Sequence, residues 1–594
     1  MTEWAGKNLL CYGDNLGFLT DTELFPNECI DLIYLDPPFN SQQSYNVLFK
    51  EASGTPEAAQ ITAFEDTWKW DTAANAALTR IHQDPAVPAP LVELMKTFMN
   101  FLKASPMMAY LVQMAVRLVH MHRILKSTGS LYLHCDPTAS HYLKLVLDAI
   151  FGPPNFRNEI VWKRSKPHGN VFTRYGSIHD LILFYGKSHA MTWSRPHVRY
   201  DQMSGEALEQ VLAQYKLVDE NGRRFQATSL LNPNPDRPNL TYEFHGHRKV
   251  WRWTKDRMLK AEKEGKLYFP KGGDGIPREI RFLDQQEGLP LQDIWDEDEV
   301  KPIPAQSAER LGYPTQKPLG LLKRIVLASS NPGDVILDPF CGCGTTIDAV
   351  ETVNREAVCG TAAPAVQENT TPEGGRATNN KPRTWIGIDV THLSVNLIKH
   401  RLTRFVPPPE YEVIGEPASL SAAEALAKDD PFQFQFWALG LIGARPAGQS
   451  KRKGADQGID GVRYFMDESK GGQGLLKRML VQVKGGGNVG SKDIRDFVGT
   501  LSREKAELGV FITLTGPTQP MRGEAATAGM YTSPWDKKAY PKVAILTVEE
   551  LLKDRSRPNP RCLLIPAGAD QHTLPEPPRH RRRASAQGNL GFEA

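Results

Sequence analysis

Between Val335 and Thr346 the chain reads Val-Ile-Leu-Asp-Pro-Phe-Cys-Gly-Cys-Gly-Thr-Thr, a short apolar strand that opens through two glycines into a helical pattern. A strand that turns at once into a helix commits this part of the chain to an α/β sheet covered by helices. Gly342 and Gly344 let backbone approach a ligand at that strand end, the edge where open α/β sheets bind their ligands. Ile347 stands where a dinucleotide fingerprint carries its third glycine, which disfavours NAD. The next apolar run, Trp385 to Ile388, ends in Asp389, an acid placed where a ribose diol would lie.

A second strand end of this kind lies much earlier. The run Cys29 to Leu35 leads into Asp36-Pro37-Pro38-Phe39-Asn40. Consecutive prolines offer no N–H, so their carbonyls stand as fixed acceptors, and Asp36 adds a charged one. That set suits an amino group, and Phe39 offers a flat apolar face on which a base can stack. Read alone, the string is equally an ordinary strand-ending turn. Ahead of the Gly-rich strand, Gly312-Tyr313-Pro314-Thr315-Gln316-Lys317-Pro318 leads into a helix.

The spacing of apolar runs predicts an α/β half over residues 1–190 and a looser accessory region over 191–300, where Arg, His, Tyr and Trp interleave from Tyr242 to Trp253. Strand and helix patterns return over 301–405, broken by a polar surface insertion at Gly360 to Lys381. Pro407 to Pro409 open an expected linker over 406–430. A small α/β domain is expected over 431–555, and 556–594 reads as a basic, mostly disordered tail.

Taken together, Asp36 to Phe39, the Gly-rich turn, Asp389 and the Thr315 to Lys317 stretch resemble amino-group DNA methyltransferases of the N6-adenine and N4-cytosine type, in the permuted order with the catalytic motif first. The likeness covers about residues 7–405 and implies a Rossmann-like sheet. It implies that Asp338, Phe340, Gly342, Gly344, Thr345 and Asp389 hold S-adenosylmethionine, with Thr315 and Lys317 nearby. Asp36, Pro37, Pro38 and Phe39 would hold the flipped base, and 191–300 would be the target-recognition region. Asp36 favours adenine over cytosine, for which Ser is the more usual residue in the family, and argues against the Asn of protein-glutamine methyltransferases. An exocyclic amino group is a poor nucleophile, so hydrogen bonds to Asp36 and a proline carbonyl, with in-line positioning, carry the chemistry. Duplex DNA buries that atom, so the base must leave the stack.

A second constellation lies at Asp460-Gly461-Val462 and Val481-Gln482-Val483-Lys484. An acid opening one strand and Gln-x-Lys on the next put oxygen ligands and an ammonium on one sheet edge, as for Mg²⁺. This resembles the Mrr-type branch of the PD-(D/E)xK nucleases over about 431–555. The likeness implies Asp460 and Gln482 as metal ligands and Lys484 as the catalytic ammonium, with a contribution from Gln435. Gln482 replaces the commoner Glu and removes one negative charge. The expected whole is a DNA methyltransferase acting on adenine N6 with a fused Mg²⁺-dependent endonuclease. The alternatives are a modification enzyme whose C-terminal domain binds DNA or assembles, and a nuclease whose other half senses methylation.

Gln587, Leu590 and Phe592 resemble the peptide that docks into bacterial sliding clamps. Two nuclease sites suit the two strands of double-stranded DNA, so a homodimer is expected. Lys and Arg total 71 against 68 Asp and Glu, a balance that leaves room for a basic groove offset by acidic surface elsewhere. Seven cysteines without a Cys-x-x-Cys pair fit a reducing compartment, and no apolar run reaches membrane-spanning length, so a cytoplasmic protein with no membrane partner is expected.

Overall fold

Nine of the short apolar runs assemble into one mixed sheet. The computed structural model describes residues 6–554, except 39–43, 48–60, 66–68, 168–171, 174, 199, 201–204, 271–274, 287, 305, 312, 314, 359–380, 448–457, 471–472 and 535–536. The sheet strands are β1 (Asn8–Tyr12), β2 (Ile30–Leu35), β3 (Leu125–Cys135), β4 (Phe156–Lys163), β5 (His179–Gly186), β6 (Ile294–Trp295), β7 (Val335–Asp338), β8 (Thr384–Asp389) and β9 (Tyr411–Ile414). Their order is β6-β4-β5-β3-β2-β7-β8-β1-β9. Strands β2, β7 and β8 run parallel as neighbours, with Leu337 beside Ile33 and Asp338 beside Gly387. All three therefore end at one edge, although β2 and β7 are far apart in the chain.

Strands buried on both faces explain the continuous apolar runs. One face carries Ile33, Leu35 and Leu337 against helix α1 (Pro106–Ile124). The other carries Leu32, Tyr34 and Ile336 against α2 (Leu319–Ser329), α3 (Thr345–Val358) and α4 (His392–Leu402). The result is a three-layer α/β/α body.

The expected linker at 406–430 is a correction. Tyr411–Ile414 pairs in parallel with β1, Leu9 beside Glu412, and completes the sheet; Leu420–Asp429 then forms helix α5. The prolines stop at Pro409, and the four-residue strand that follows gets its partner only from the far N-terminus.

The C-terminal domain begins with α6 (Pro431–Leu441), capped by Asp430, whose carboxylate accepts from the Phe432 and Gln433 amides. Its sheet has the order β10 (Arg445–Pro446), β11 (Gly461–Lys470), β12 (Gln473–Lys484), β13 (Leu508–Thr513), β14 (Val543–Thr547). Helix α6 packs on α4: the His392 amide donates to Gln433 Oε1 at 2.9 Å and Asn396 Nδ2 donates to the Phe436 carbonyl at 2.6 Å.

Residues Arg195–Gln292 form a separate unit. It holds a four-stranded sheet and the hairpin Thr241–Phe244/His247–Val250. Its core is Leu230, Phe244, Trp251 and Met258, so Trp251 is structural, whereas Arg248 and Lys249 are exposed on the hairpin. No helix among the described residues is long and apolar enough to cross a membrane.

Candidate active sites

The ends of β2, β7 and β8 surround a cavity of about 340 Å³. Its lining includes Asp36, Pro37 and Pro38 from one sequence cluster, Thr315 and Lys317 from a second, and Asp338, Phe340, Gly342, Thr345 and Asp389 from the Gly-rich turn and the strand beside it. Residues more than 300 positions apart in sequence thus meet at one sheet edge, as the parallel strand order requires.

Each carboxylate is held differently. Asp389 Oδ2 accepts from the Gly342 amide at 3.0 Å and Oδ1 accepts from the Thr391 amide and hydroxyl, so the acid fixes the turn it faces. Asp338 accepts from Thr346 Oγ1 and from the Phe340 amide. Burial pushes Asp338 up to about 7, with Asp36 and Asp389 adding to the rise and those two hydrogen bonds opposing it. Burial likewise raises Asp389. Asp36 Oδ2 is ion-paired with the buried Lys317 ammonium, while Oδ1 is buried and has no hydrogen-bond donor among the described residues.

The glycines of the turn do different work. Gly342 has φ +50°, and an added Cβ would lie 3.3 Å from the Tyr313 ring. Gly344 has φ +77° and is absent from the cavity lining; a Cβ there would lie 2.6 Å from Ile398 Cγ1 on α4. Gly344→Ala is therefore expected to lower stability by about 1–3 kcal/mol, from left-handed strain and overpacking, as read by denaturant unfolding. An unchanged midpoint would show that the turn relaxes freely.

The sequence reading missed Gly13, Asp14, Asn15 and Arg117, which also line the cavity. Asn15 donates to the Pro339 carbonyl at 2.7 Å, and Arg117 donates to Asn15 Oδ1 at 2.7 Å and to Asp14 Oδ1 at 2.8 Å. The available signals were Gly-Asp-Asn after the first strand and an Arg in the middle of the apolar α1. Phe39 lies outside the described residues, as do Gln587, Leu590 and Phe592.

The second cluster sits on the β11–β12 pair. The Asp460 amide donates to the Val481 carbonyl, and Asp460 Oδ2 accepts from the Val483 amide at 2.6 Å, between Gln482 and Lys484. Gln482 and Lys484 share a strand face by their two-residue spacing. Gln482 is buried, and its Oε1 has no hydrogen-bond donor among the described residues, an orphaned oxygen that fits a cation ligand. Gln435 is half-buried on α6, with no hydrogen bond described for it. Among the described residues no three His, Cys, Asp or Glu side chains converge as a metal cage.

A Rossmann-like sheet thus brings a Gly-rich turn, an acid at the end of the next strand and an Asp-Pro-Pro turn around one cavity in an α/β protein. The chain belongs to the DNA methylase family, whose model matches residues 30–400, well over half of it. A restriction endonuclease family model matches residues 428–533. The chain is 31% identical over 252 residues to Type II methyltransferase M.EcaI of Enterobacter cloacae, covering 42% of this chain and 53% of that one. It is 25% identical to the Mod subunit of the Type III restriction-modification enzyme StyLTI of Salmonella typhimurium, covering 59% and 50%. It is 25% identical to DNA adenine methyltransferase YhdJ of Escherichia coli (strain K12), covering 55% and 70%. The chain spans about half the length of the first two.

Proposed function

We propose that this chain transfers a methyl group from S-adenosylmethionine to adenine N6 in double-stranded DNA, and that its C-terminal domain cuts DNA with Mg²⁺. The observation that carries the first half is Asp36: Lys317 engages one carboxylate oxygen, and the other stands buried, without a donor among the described residues, in the cavity shared with Asp338 and Asp389. An orphaned acceptor of that kind is costly unless a ligand N–H completes it, and an exocyclic amino group supplies one. The Pro37 and Pro38 carbonyls are the neighbouring acceptors that need no competing N–H.

S-adenosylmethionine supplies an electrophilic methyl on a sulfonium. Asp389 and Asp338 suit its hydroxyl and amino groups, and Gly342 keeps backbone close to it without a Cβ. Asp36 orients the amino lone pair toward the methyl and excludes water from one edge. YhdJ, named for adenine, and Asp rather than Ser at position 36 support adenine over cytosine. In the second domain Asp460 and Gln482 would hold Mg²⁺, with Lys484 beside it to orient water. A homodimer would bring two such sites to the two strands, and the tail peptide would dock on a sliding clamp.

Incubation of the purified chain with unmethylated plasmid, labelled donor and Mg²⁺ tests both halves: label in DNA and strand breaks are expected. No label would end the methyltransferase reading, and label without breaks would end the nuclease reading. The Asp338 value gives a further test. A net-cationic ligand selects the ionised acid, so donor binding releases a proton below about pH 7. Affinity is expected to tighten about tenfold from about pH 6 to about pH 8 in titration calorimetry. Equal affinity at both would show that Asp338 does not ionise for the ligand.

A further inference from the structure

Behind the cavity runs a chain of polar side chains that donor binding and base holding leave unused. Tyr34 lines the cavity, and its hydroxyl meets His134 Nδ1 at 3.1 Å. His134 Nε2 meets Asp180 Oδ2 at 3.3 Å, and Arg164 Nε stands 3.1 Å from Asp180 Oδ1. The three inner residues sit on the adjacent strands β2, β3 and β5 and are 2%, 0% and 3% exposed. The Arg164 side chain, just past β4, is 42% exposed. The Trp162 ring stands edge-on to His134, centroids 5.5 Å apart.

The directions follow from chemistry. A carboxylate only accepts, so His134 Nε2 carries a proton toward Asp180. Burial opposes ionisation of Asp180, but the hydrogen bond from His134, with the Lys317 and Arg164 cations, holds its carboxyl below the usual range. With Nε2 protonated, neutral His134 accepts at Nδ1, and the Tyr34 hydroxyl donates to it. Tyr34 and Asp36 are two residues apart at the end of one strand and therefore share a face. Tyr34 lines the same cavity as Asp36, and its hydroxyl is backed by a base with a carboxylate behind it, the arrangement that lets a hydroxyl pass on one proton while taking another.

We propose that Tyr34, His134 and Asp180 form the exit path for the proton released when the amino group is methylated, an inference that rests on the methyltransferase reading above. The methyl leaves sulfur without its bonding electrons and takes the nitrogen lone pair, so the nitrogen gains a positive charge and holds one proton too many. Tyr34 Oη takes that proton as its own passes to His134 Nδ1. His134 becomes an imidazolium paired with Asp180 and later releases its proton to water by way of the Arg164 side. Asp36, engaged by Lys317 on one oxygen and by the amino group on the other, stays the positioning acceptor throughout.

Single-turnover methyl transfer by the full chain, in H₂O and in D₂O, tests this. Tyr34→Phe keeps the ring and loses only the hydroxyl. His134→Gln keeps an acceptor for Tyr34 and a donor for Asp180 but cannot carry a proton. Both are expected to slow transfer about a hundredfold, the lower range for positioned proton transfer, with donor and DNA affinities unchanged. The wild-type solvent isotope effect is expected to vanish in both. Transfer at the wild-type rate, or slowed transfer that keeps the isotope effect, would overturn the relay while the methyltransferase reading stands. Absence of any transfer by the wild-type chain would overturn both.

Discussion

Asp36→Ala is expected to abolish methyl transfer, a loss of at least about a hundredfold in the single-turnover rate, because the positioned acceptor for the amino group is gone. The substitution also removes the ion-pair partner of the buried Lys317 ammonium, and breaking one side of a buried pair costs about 3–5 kcal/mol of stability. Asp36→Asn separates the two effects. Its single amide oxygen can serve Lys317 or the substrate amino group but not both, so the fold is kept while transfer still falls steeply. Donor binding, measured by calorimetry, is expected to persist in Asp36→Asn, since Asp338, Gly342 and Asp389 are untouched. Transfer by Asp36→Asn at the wild-type rate would remove Asp36 from the chemistry.

Lys484→Ala is expected to remove Mg²⁺-dependent strand cleavage, by about a hundredfold or more, and to leave methylation unchanged. The reason is placement: Lys484 ends β12 in the second sheet, beside the Asp460 to Val483 hydrogen bond, whereas the methylation cavity lies at the ends of β2, β7 and β8. Asp460→Asn should give the same phenotype through loss of a metal ligand, with a shifted Mg²⁺ requirement that Lys484→Ala does not show. Plasmid nicking and linearisation assays read both. Cleavage that survives in both variants would place the nuclease chemistry elsewhere.

The motifs at Asp36, Asp338 and Asp389 were legible because each ends a short apolar run, and parallel strands put such ends on one edge whatever their distance in sequence. Contacts made across the layers were not. The Asp36–Lys317 pair joins positions 281 apart, and Tyr34–His134 joins positions 100 apart, with no local pattern to mark either. Arg117 sits inside the apolar repeat of α1, where nothing local marks that it braces the Asn15 that holds Pro339. Gly342 and Gly344 looked alike in sequence, yet only Gly342 lines the cavity, because the helix that crowds Gly344 arrives 48 or more residues later at His392. Strand β9 was hidden behind the prolines because its partner, β1, lies at the other end of the fold.

The most direct measurement is the identity of the modified base. Unmethylated duplex DNA incubated with the full chain and labelled S-adenosylmethionine, then digested to nucleosides and separated by mass spectrometry, should yield N6-methyladenine as the only labelled nucleoside, and none with Asp36→Asn. Label in N4-methylcytosine, or no labelled nucleoside at all, would contradict the account.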